Sequence, residues 1–96
     1  MNTIENYELD RAETLALKAI QFILADEKLE QGFMVTSGVS PADFKDMLGD
    51  PNFLGGVLDF LLSNEDQLVQ FCQENEIDPT EPAKARRQFP GAVLDF

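Results

Sequence analysis

The fold is decided by residues 50–62, DPNFLGGVLDFLL. Asp50 and Pro51 form a helix start, because an aspartate can accept hydrogen bonds from the first free N–H groups and a proline there loses none. The residues that follow are apolar on every side of the predicted helix, and Asp59 is the one charged residue among them. A helix without a polar face is expected at the centre of a bundle. We therefore predict a buried helix over residues 52–62.

Amphipathic helices are predicted on both sides of this central helix. Apolar residues recur every three or four positions over residues 9–25, as on one face of a helix. Asp26 and Gly38 mark the start and end of a second helix, since aspartate is a good N-cap and glycine readily takes the left-handed C-cap conformation. Further capping residues predict short helices over residues 42–48, 65–75 and 83–89. No stretch has the alternation of a strand, so we predict an all-α fold.

The predicted architecture is a compact bundle of five to six short helices in a single domain. A chain of 96 residues, of which 44% are hydrophobic, holds one core. We expect a flexible lead-in over residues 1–8, the helical domain over residues 9–89 and an apolar tail over residues 90–96.

The chain also carries an apparent internal repeat. Residues 19–27, AIQFILADE, align with residues 57–65, VLDFLLSNE, at an offset of 38. Repeats of this length usually correspond to stacked supersecondary units. Two units are predicted, over residues 15–49 and 53–89. Convergence between helices rich in leucine and phenylalanine is the alternative explanation.

Acidic residues dominate the charge, with 18 Asp and Glu against seven Lys and Arg and a net charge of −11. This charge opposes binding to phosphate backbones and anionic lipid, so neither nucleic acid nor a membrane is an expected partner. Between residues 46 and 83 the chain has acidic residues and no Lys or Arg. A basic protein partner would contact this segment, although the same acidity also serves solubility. The acidic candidates for partner binding are Asp59, Glu65, Asp66, Glu74, Glu76 and Asp78.

The C-terminal tail is a second candidate binding surface. FPGAVLDF at residues 89–96 agrees with FLGGVLDF at residues 53–60 at six of eight positions. Its candidate contact residues are Val93, Leu94 and Phe96. Such a segment packs against its own domain or binds another chain, and exchange with a second copy would produce a homodimer.

The residue types argue against catalysis and against a metal or cofactor site. The chain has no histidine, which is the commonest general base and metal ligand. Cys72 lies on the apolar side of a predicted helix, where a thiol usually packs as a small hydrophobe. A rival class, an enzyme that uses carboxylates alone, would need a perturbed carboxyl pKa in a cleft. A single cysteine and the lack of a long apolar run predict a cytoplasmic location.

Gly55 and Gly56 stand inside the most apolar predicted helix. Each glycine costs a helix roughly 1 kcal/mol relative to alanine, so another interaction should offset the loss. Close packing of a neighbouring helix is one explanation. A groove that admits a partner's side chain is the other.

The sequence resembles a family of short bacterial proteins, mostly alphaproteobacterial, known as domain of unknown function 3572. The likeness is carried by DPNFLGGVLDFLL at residues 50–62, SGVSPADF at 37–44 and EIDP at 76–79. The resemblance implies a cytoplasmic helical bundle, and it supplies no site residues because the family has no established activity.

The predicted function is therefore a small acidic protein–protein interaction or adaptor module without catalysis. The alternative is an acidic mimic of nucleic acid that occupies the binding site of a basic protein. Mimicry would require carboxylates at phosphate-like spacing along one face.

Overall fold

The helices begin and end close to the residues that the capping pattern predicts. The computed structural model describes residues 3–91, with side chains from residue 7 onward. Over this range the chain forms six helices and no strand, which confirms the all-α prediction. The helices are α1 (Thr3–Leu24), α2 (Glu27–Ser37), α3 (Pro41–Met47), α4 (Pro51–Leu62), α5 (Glu65–Glu74) and α6 (Glu81–Arg86).

Side-chain caps fix the starts of α2 and α4. The Asp26 carboxylate accepts hydrogen bonds from the backbone N–H groups of Lys28 and Leu29, at 2.9 and 3.2 Å. The Asp50 carboxylate accepts the N–H of Asn52 at 2.9 Å. These bonds satisfy donors that have no partner inside the helix, so the predicted starts at Asp26 and Asp50 are confirmed.

Two helix boundaries were predicted wrongly. The first helix begins at Thr3 rather than at residue 9, so residues 3–8 of the expected lead-in are helical. Apolar periodicity did not reveal this start, because the side chains of Tyr7 and Glu8 are exposed and add nothing to the apolar face. The last helix is α6, which ends at Arg86 rather than at residue 89. The last residue of α6, Arg86, is buried, and its side chain contacts Asp59 of α4.

The predicted central helix α4 is the middle of the core. Its buried residues are Phe53, Leu54, Gly55, Val57, Leu58 and Leu61. The helices α1, α4 and α6 pack against one another, α2 packs against α1 and α4, and α5 packs against α4. No helix in the described part of the chain is long and apolar enough to cross a membrane.

Two aromatic pairs are related by the 38-residue offset. The rings of Phe22 and Phe71 pack edge to face with 5.4 Å between their centroids, and the rings of Phe33 and Phe60 do so at 5.3 Å. Phe60 lies 38 residues after Phe22, and Phe33 lies 38 residues before Phe71, so the offset converts one pair into the other. The third helix of the first repeat unit is α3 and that of the second is α6, and these two pack differently. The helix α6 packs against α1 and α4, whereas α3 contributes Phe44 to the ring cluster around Phe33. The repeat therefore stays an interpretation.

Candidate interaction groove

A surface groove with a volume of about 710 Å³ lies between α2 and α4. Its apolar lining consists of Leu29, Phe33, Val39, Met47, Phe53 and Phe60, together with Gly32 and Gly56. Its polar lining consists of Lys28, Thr36, Ser37, Asp50, Asn52, Asp59, Ser63 and Asn64. Half of the lining residues are apolar or glycine and half are polar, so the groove offers both apolar contacts and hydrogen-bonding groups.

The floor of the groove includes Phe33, Phe53 and Phe60, which form an aromatic cluster with Phe44. The ring of Phe33 lies 5.4 Å from that of Phe44, 5.7 Å from that of Phe53 and 5.3 Å from that of Phe60. All three pairs are close to edge to face, the arrangement that aromatic quadrupoles favour. Phe33 is fully buried, while Phe60 is only half-buried. Because Phe33, Phe44 and Phe53 are buried, Phe60 is the ring of this cluster that contributes most of the aromatic surface at the bottom of the groove.

The paired glycines of α4 have different surroundings. A Cβ atom at Gly55 would lie 2.9 Å from Nη1 of Arg86 and 3.2 Å from Cβ of Phe89. Close packing is therefore the correct explanation for Gly55. A Cβ atom at Gly56 would meet no described heavy atom within 4 Å, and Gly56 lines the groove. Packing within the described chain does not explain this second glycine.

The side chain that packs against Gly55 is that of Arg86, whose contacts were not predicted from the sequence. Nε and Nη2 of Arg86 donate to the two carboxylate oxygens of Asp59, at 2.7 and 3.1 Å. Nη1 donates to the carbonyl oxygens of Phe89 and Pro90, at 3.1 and 3.0 Å. Arg86 is only 8% exposed, so this forked pair is shielded on the arginine side. In the sequence, Arg86 lies near the C-terminal end of a predicted helix, where the helix dipole favours a cation, and nothing there links it to Asp59.

We expect alanine at Gly55 and at Gly56 to have opposite effects on stability. Gly56→Ala should raise the free energy of unfolding by about 1 kcal/mol, because the helix gains propensity without a clash. Gly55→Ala should lower it by about 1 kcal/mol, because overpacking costs about 1–3 kcal/mol and exceeds the same gain in propensity. Urea denaturation of both variants measures the difference. Equal stabilisation by the two alanines would contradict the contact between Gly55 and Arg86.

The acidic candidates do not form one cluster. Glu65 and Asp66 lie in the first turn of α5, whereas Glu74, Glu76 and Asp78 lie at its other end. A helix of ten residues separates the two groups by about 15 Å. Asp59 belongs to a different helix, α4, and is paired with Arg86. No three Cys, Asp or Glu side chains of the described residues come close enough together to hold a metal ion.

Several acidic side chains have local structural contacts. Glu74 accepts a hydrogen bond from Nε2 of Gln70 at 2.8 Å. Asp78 accepts hydrogen bonds from the backbone N–H and the hydroxyl of Thr80, at 2.8 and 2.7 Å. These bonds lower the pKa of Asp78.

The backbone of Glu76 has a φ of 54°. The 38-residue offset pairs Glu76 with Gly38, whose φ is 75°.

Cys72 is a packing residue. Its side chain is buried against the core, as the sequence predicted. Burial raises the pKa of the Cys72 thiol, and the negative charge of Asp78 raises it further. The thiolate, which is the reactive form of cysteine, is therefore disfavoured at neutral pH.

A second depression, of about 800 Å³, lies between α1 and α6. Its rim carries charges of both signs, and two of them, Arg11 and Glu81, form an ion pair at 3.6 Å. The guanidinium of Arg11 also lies 5.6 Å from the centroid of the Tyr7 ring. This mixture of charges selects no single class of ligand.

The candidate residues of the C-terminal tail, Val93, Leu94 and Phe96, lie outside the described residues. Their contribution to partner binding or to a homodimer stays a prediction.

The described part of the chain is a small helical bundle with a surface groove between α2 and α4. The chain belongs to the family described as proteins of unknown function, DUF3572, whose model matches residues 9–92. Comparison with curated proteins found no match. Comparison with solved structures found none either.

Proposed function

We propose that this protein is a non-catalytic interaction module that binds an apolar helical segment of a partner protein in the groove between α2 and α4. Gly56 carries the proposal. It weakens the most apolar helix of the chain by about 1 kcal/mol, and a side chain there would meet no described atom. The space above Gly56 is therefore open to a side chain or backbone segment of a partner.

The composition of the groove supports a helical ligand. Its walls are two helices, and its floor is the aromatic cluster around Phe33. Grooves of this kind bind amphipathic helices, whose apolar side chains at every third or fourth position enter the groove. Gly56 lets the ligand approach the backbone of α4. The half-buried ring of Phe60 offers apolar surface beside it.

The groove supports the proposal better than the acidic surface does. Three of the six acidic candidates have internal partners, since Asp59 binds Arg86, Glu74 binds Gln70 and Asp78 binds Thr80. The remaining three, Glu65, Asp66 and Glu76, are divided between the two ends of α5. Mimicry of nucleic acid needs a continuous row of carboxylates. Mimicry therefore stays the alternative, without a specific observation in its favour.

Filling the groove tests the proposed function. Gly56→Leu places a large side chain in the groove at a position where the fold has room for it. Gln70→Leu is the matched control, because it adds the same side chain to the exposed surface of α5, away from the groove. Proteins captured from lysate by the parent chain are compared with those captured by each variant, and the binding segment of each captured protein is then mapped with synthetic peptides.

We expect a helical segment that binds the parent chain and Gln70→Leu with equal affinity and binds Gly56→Leu at least tenfold more weakly. A tenfold change corresponds to about 1.4 kcal/mol of binding free energy. Circular dichroism and urea denaturation establish that both variants fold. Equal binding by Gly56→Leu, or no binding to the parent chain at millimolar peptide, would refute the proposal.

A further inference from the structure

The last turn of the described chain lies beside the rim of the groove. Phe89 is buried, and its Cβ atom would lie 3.2 Å from a Cβ atom at Gly55. A Cβ atom at Gly91 would lie 3.4 Å from Nη2 of Arg86. The same nitrogen donates to the carboxylate of Asp59 at 3.1 Å, and Asp59 lines the groove. Only the guanidinium of Arg86 and the carboxylate of Asp59 therefore separate Gly91 from the groove.

The two adjacent glycines of α4 lie along the path from this turn to the groove. Gly55 makes room for the turn itself, as its close contacts show. Gly56 is the next residue, and it lines the groove without cover from any described atom. Asp59 follows Gly55 by four residues and Gly56 by three, so all three share one side of α4. A chain that continues from Gly91 towards the groove therefore passes over Gly56.

We propose that residues 92–96 of the same chain cross α4 at Gly56 and bind in the groove, so that a partner has to displace them. These residues lie outside the described part of the chain, and their sequence is AVLDF. The intramolecular contact does not depend on the proposed function. Only the displacement by a partner rests on that function.

The segment has the length and the residue pattern to fill the groove. Five extended residues span about 16 Å, whereas packed helices such as α2 and α4 lie about 8–10 Å apart. In an extended segment every second side chain points to the same side, which places Ala92, Leu94 and Phe96 together. Val93 and the charged Asp95 point to the opposite side. The smallest of the three inward side chains comes first, where the segment passes the glycine, and the two large ones follow.

Covalent attachment favours this occupant over any free ligand. A short linker gives an attached segment an effective concentration in the millimolar range. The starting point of the segment is held in place, because Nη1 of Arg86 donates to the carbonyl oxygens of Phe89 and Pro90. A second copy of the chain would supply the same residues only at the concentration of the protein, which is lower in dilute solution. The segment that follows Gly91 is therefore the favoured occupant.

Nuclear Overhauser effects in the full chain test the intramolecular contact. We expect cross-peaks from the side chains of Leu94 and Phe96 to the protons of Gly56 and to the ring of Phe60, both of which line the groove. Val69 on α5 is exposed and lies outside the groove lining, so its methyl groups should show no such cross-peak. An isotope-filtered measurement on an equal mixture of labelled and unlabelled chains separates contacts within one chain from contacts between two chains.

Serine substitutions measure how strongly the segment occupies the groove. Nile red, a neutral apolar dye, serves as the probe, and its affinity is measured by fluorescence. We expect the double variant Leu94→Ser, Phe96→Ser to bind the dye roughly five- to tenfold more tightly than the parent chain. That change corresponds to a groove that is occupied in about 80–90% of the parent molecules. Val93→Ser is the matched control, and it should leave the affinity within about twofold of the parent value, because Val93 points away from the groove.

Gly56→Leu tests the path over α4. The leucine side chain occupies the space that the segment crosses, so the cross-peaks from Phe96 to the ring of Phe60 should disappear. Gln70→Leu, which adds the same side chain to the exposed surface of α5, should leave them intact. Circular dichroism of each variant establishes that the helices are retained.

Four results would overturn the inference. The first is the absence of cross-peaks between residues 92–96 and the groove in the parent chain. The second is cross-peaks that arise only between two chains, since the occupant would then be a second copy. The third is equal dye affinity of the parent chain and the double variant, and the fourth is an equal gain from Val93→Ser. If a partner helix binds the parent chain and the double variant equally well and Gly56→Leu weakens it, this inference fails and the proposed function stands.

Discussion

Replacing Phe33 with alanine is expected to lower the free energy of unfolding by about 4 kcal/mol, because removal of a buried phenylalanine side chain costs about 3–5 kcal/mol. Phe33 is 2% exposed and its ring contacts the rings of Phe44, Phe53 and Phe60. Each edge-to-face pair contributes about 0.5–1.5 kcal/mol beyond the area it buries. The loss is large compared with the total stability of a small domain, which is about 5–15 kcal/mol.

Urea denaturation and thermal melting measure this effect. For a domain of this size each 1 kcal/mol shifts Tm by about 4–8 °C. Val35→Ala is the control on the same helix, because Val35 is 83% exposed and its loss should cost less than about 0.5 kcal/mol. If Phe33→Ala does not fold, Phe33→Leu provides a milder loss of about 1.5 kcal/mol. A loss below 1 kcal/mol for the alanine variant would place Phe33 outside the centre of the core.

The second large effect is expected for Arg86→Ala, which should lower the free energy of unfolding by about 2–3 kcal/mol. The guanidinium donates two hydrogen bonds to Asp59 and two to the carbonyl oxygens of Phe89 and Pro90. Removal of one partner from a buried ion pair can cost about 3–5 kcal/mol when the other charge stays buried. The Asp59 side chain is 57% exposed, so its carboxylate regains water and the loss is smaller.

Neighbouring substitutions separate the ion pair from the packing of Arg86. Arg87→Ala should cost less than about 0.5 kcal/mol, because Arg87 is exposed. Arg86→Lys should recover only part of the loss, since one ammonium group cannot match a forked contact. A double-mutant cycle with Asp59→Asn gives the coupling between the two side chains. Equal stability of Arg86→Ala and Arg87→Ala would show that the buried guanidinium contributes nothing to the fold.

Local signals in the sequence were sufficient for most of the fold. Asp26 and Asp50 were recognisable as helix caps because capping depends on residues only two or three positions away. The burial of α4 followed from its apolar composition. The early start of α1 was missed because the exposed side chain of Tyr7 lies beyond the core and adds nothing to the apolar pattern.

The groove and its neighbouring ion pair depend on contacts between distant parts of the chain. Arg86 and Asp59 are 27 residues apart, and no periodicity links two residues at that distance. One part of this arrangement is visible in the sequence. Gly55 and Asp59 are four residues apart, so they share one face of an otherwise apolar helix. The different roles of Gly55 and Gly56 required the positions of α2 and α6 around α4.

The two reciprocal aromatic pairs also affect how the molecule unfolds. Each pair takes one ring from the first half of the chain and one from the second, Phe22 with Phe71 and Phe33 with Phe60. Neither half can therefore complete its own aromatic contacts, and loss of structure in one half exposes rings in the other. The most protected amides of α2 and α5 should exchange with solvent hydrogen only when the entire domain opens. The chain is thus expected to fold as one cooperative unit, although its sequence suggests two similar halves.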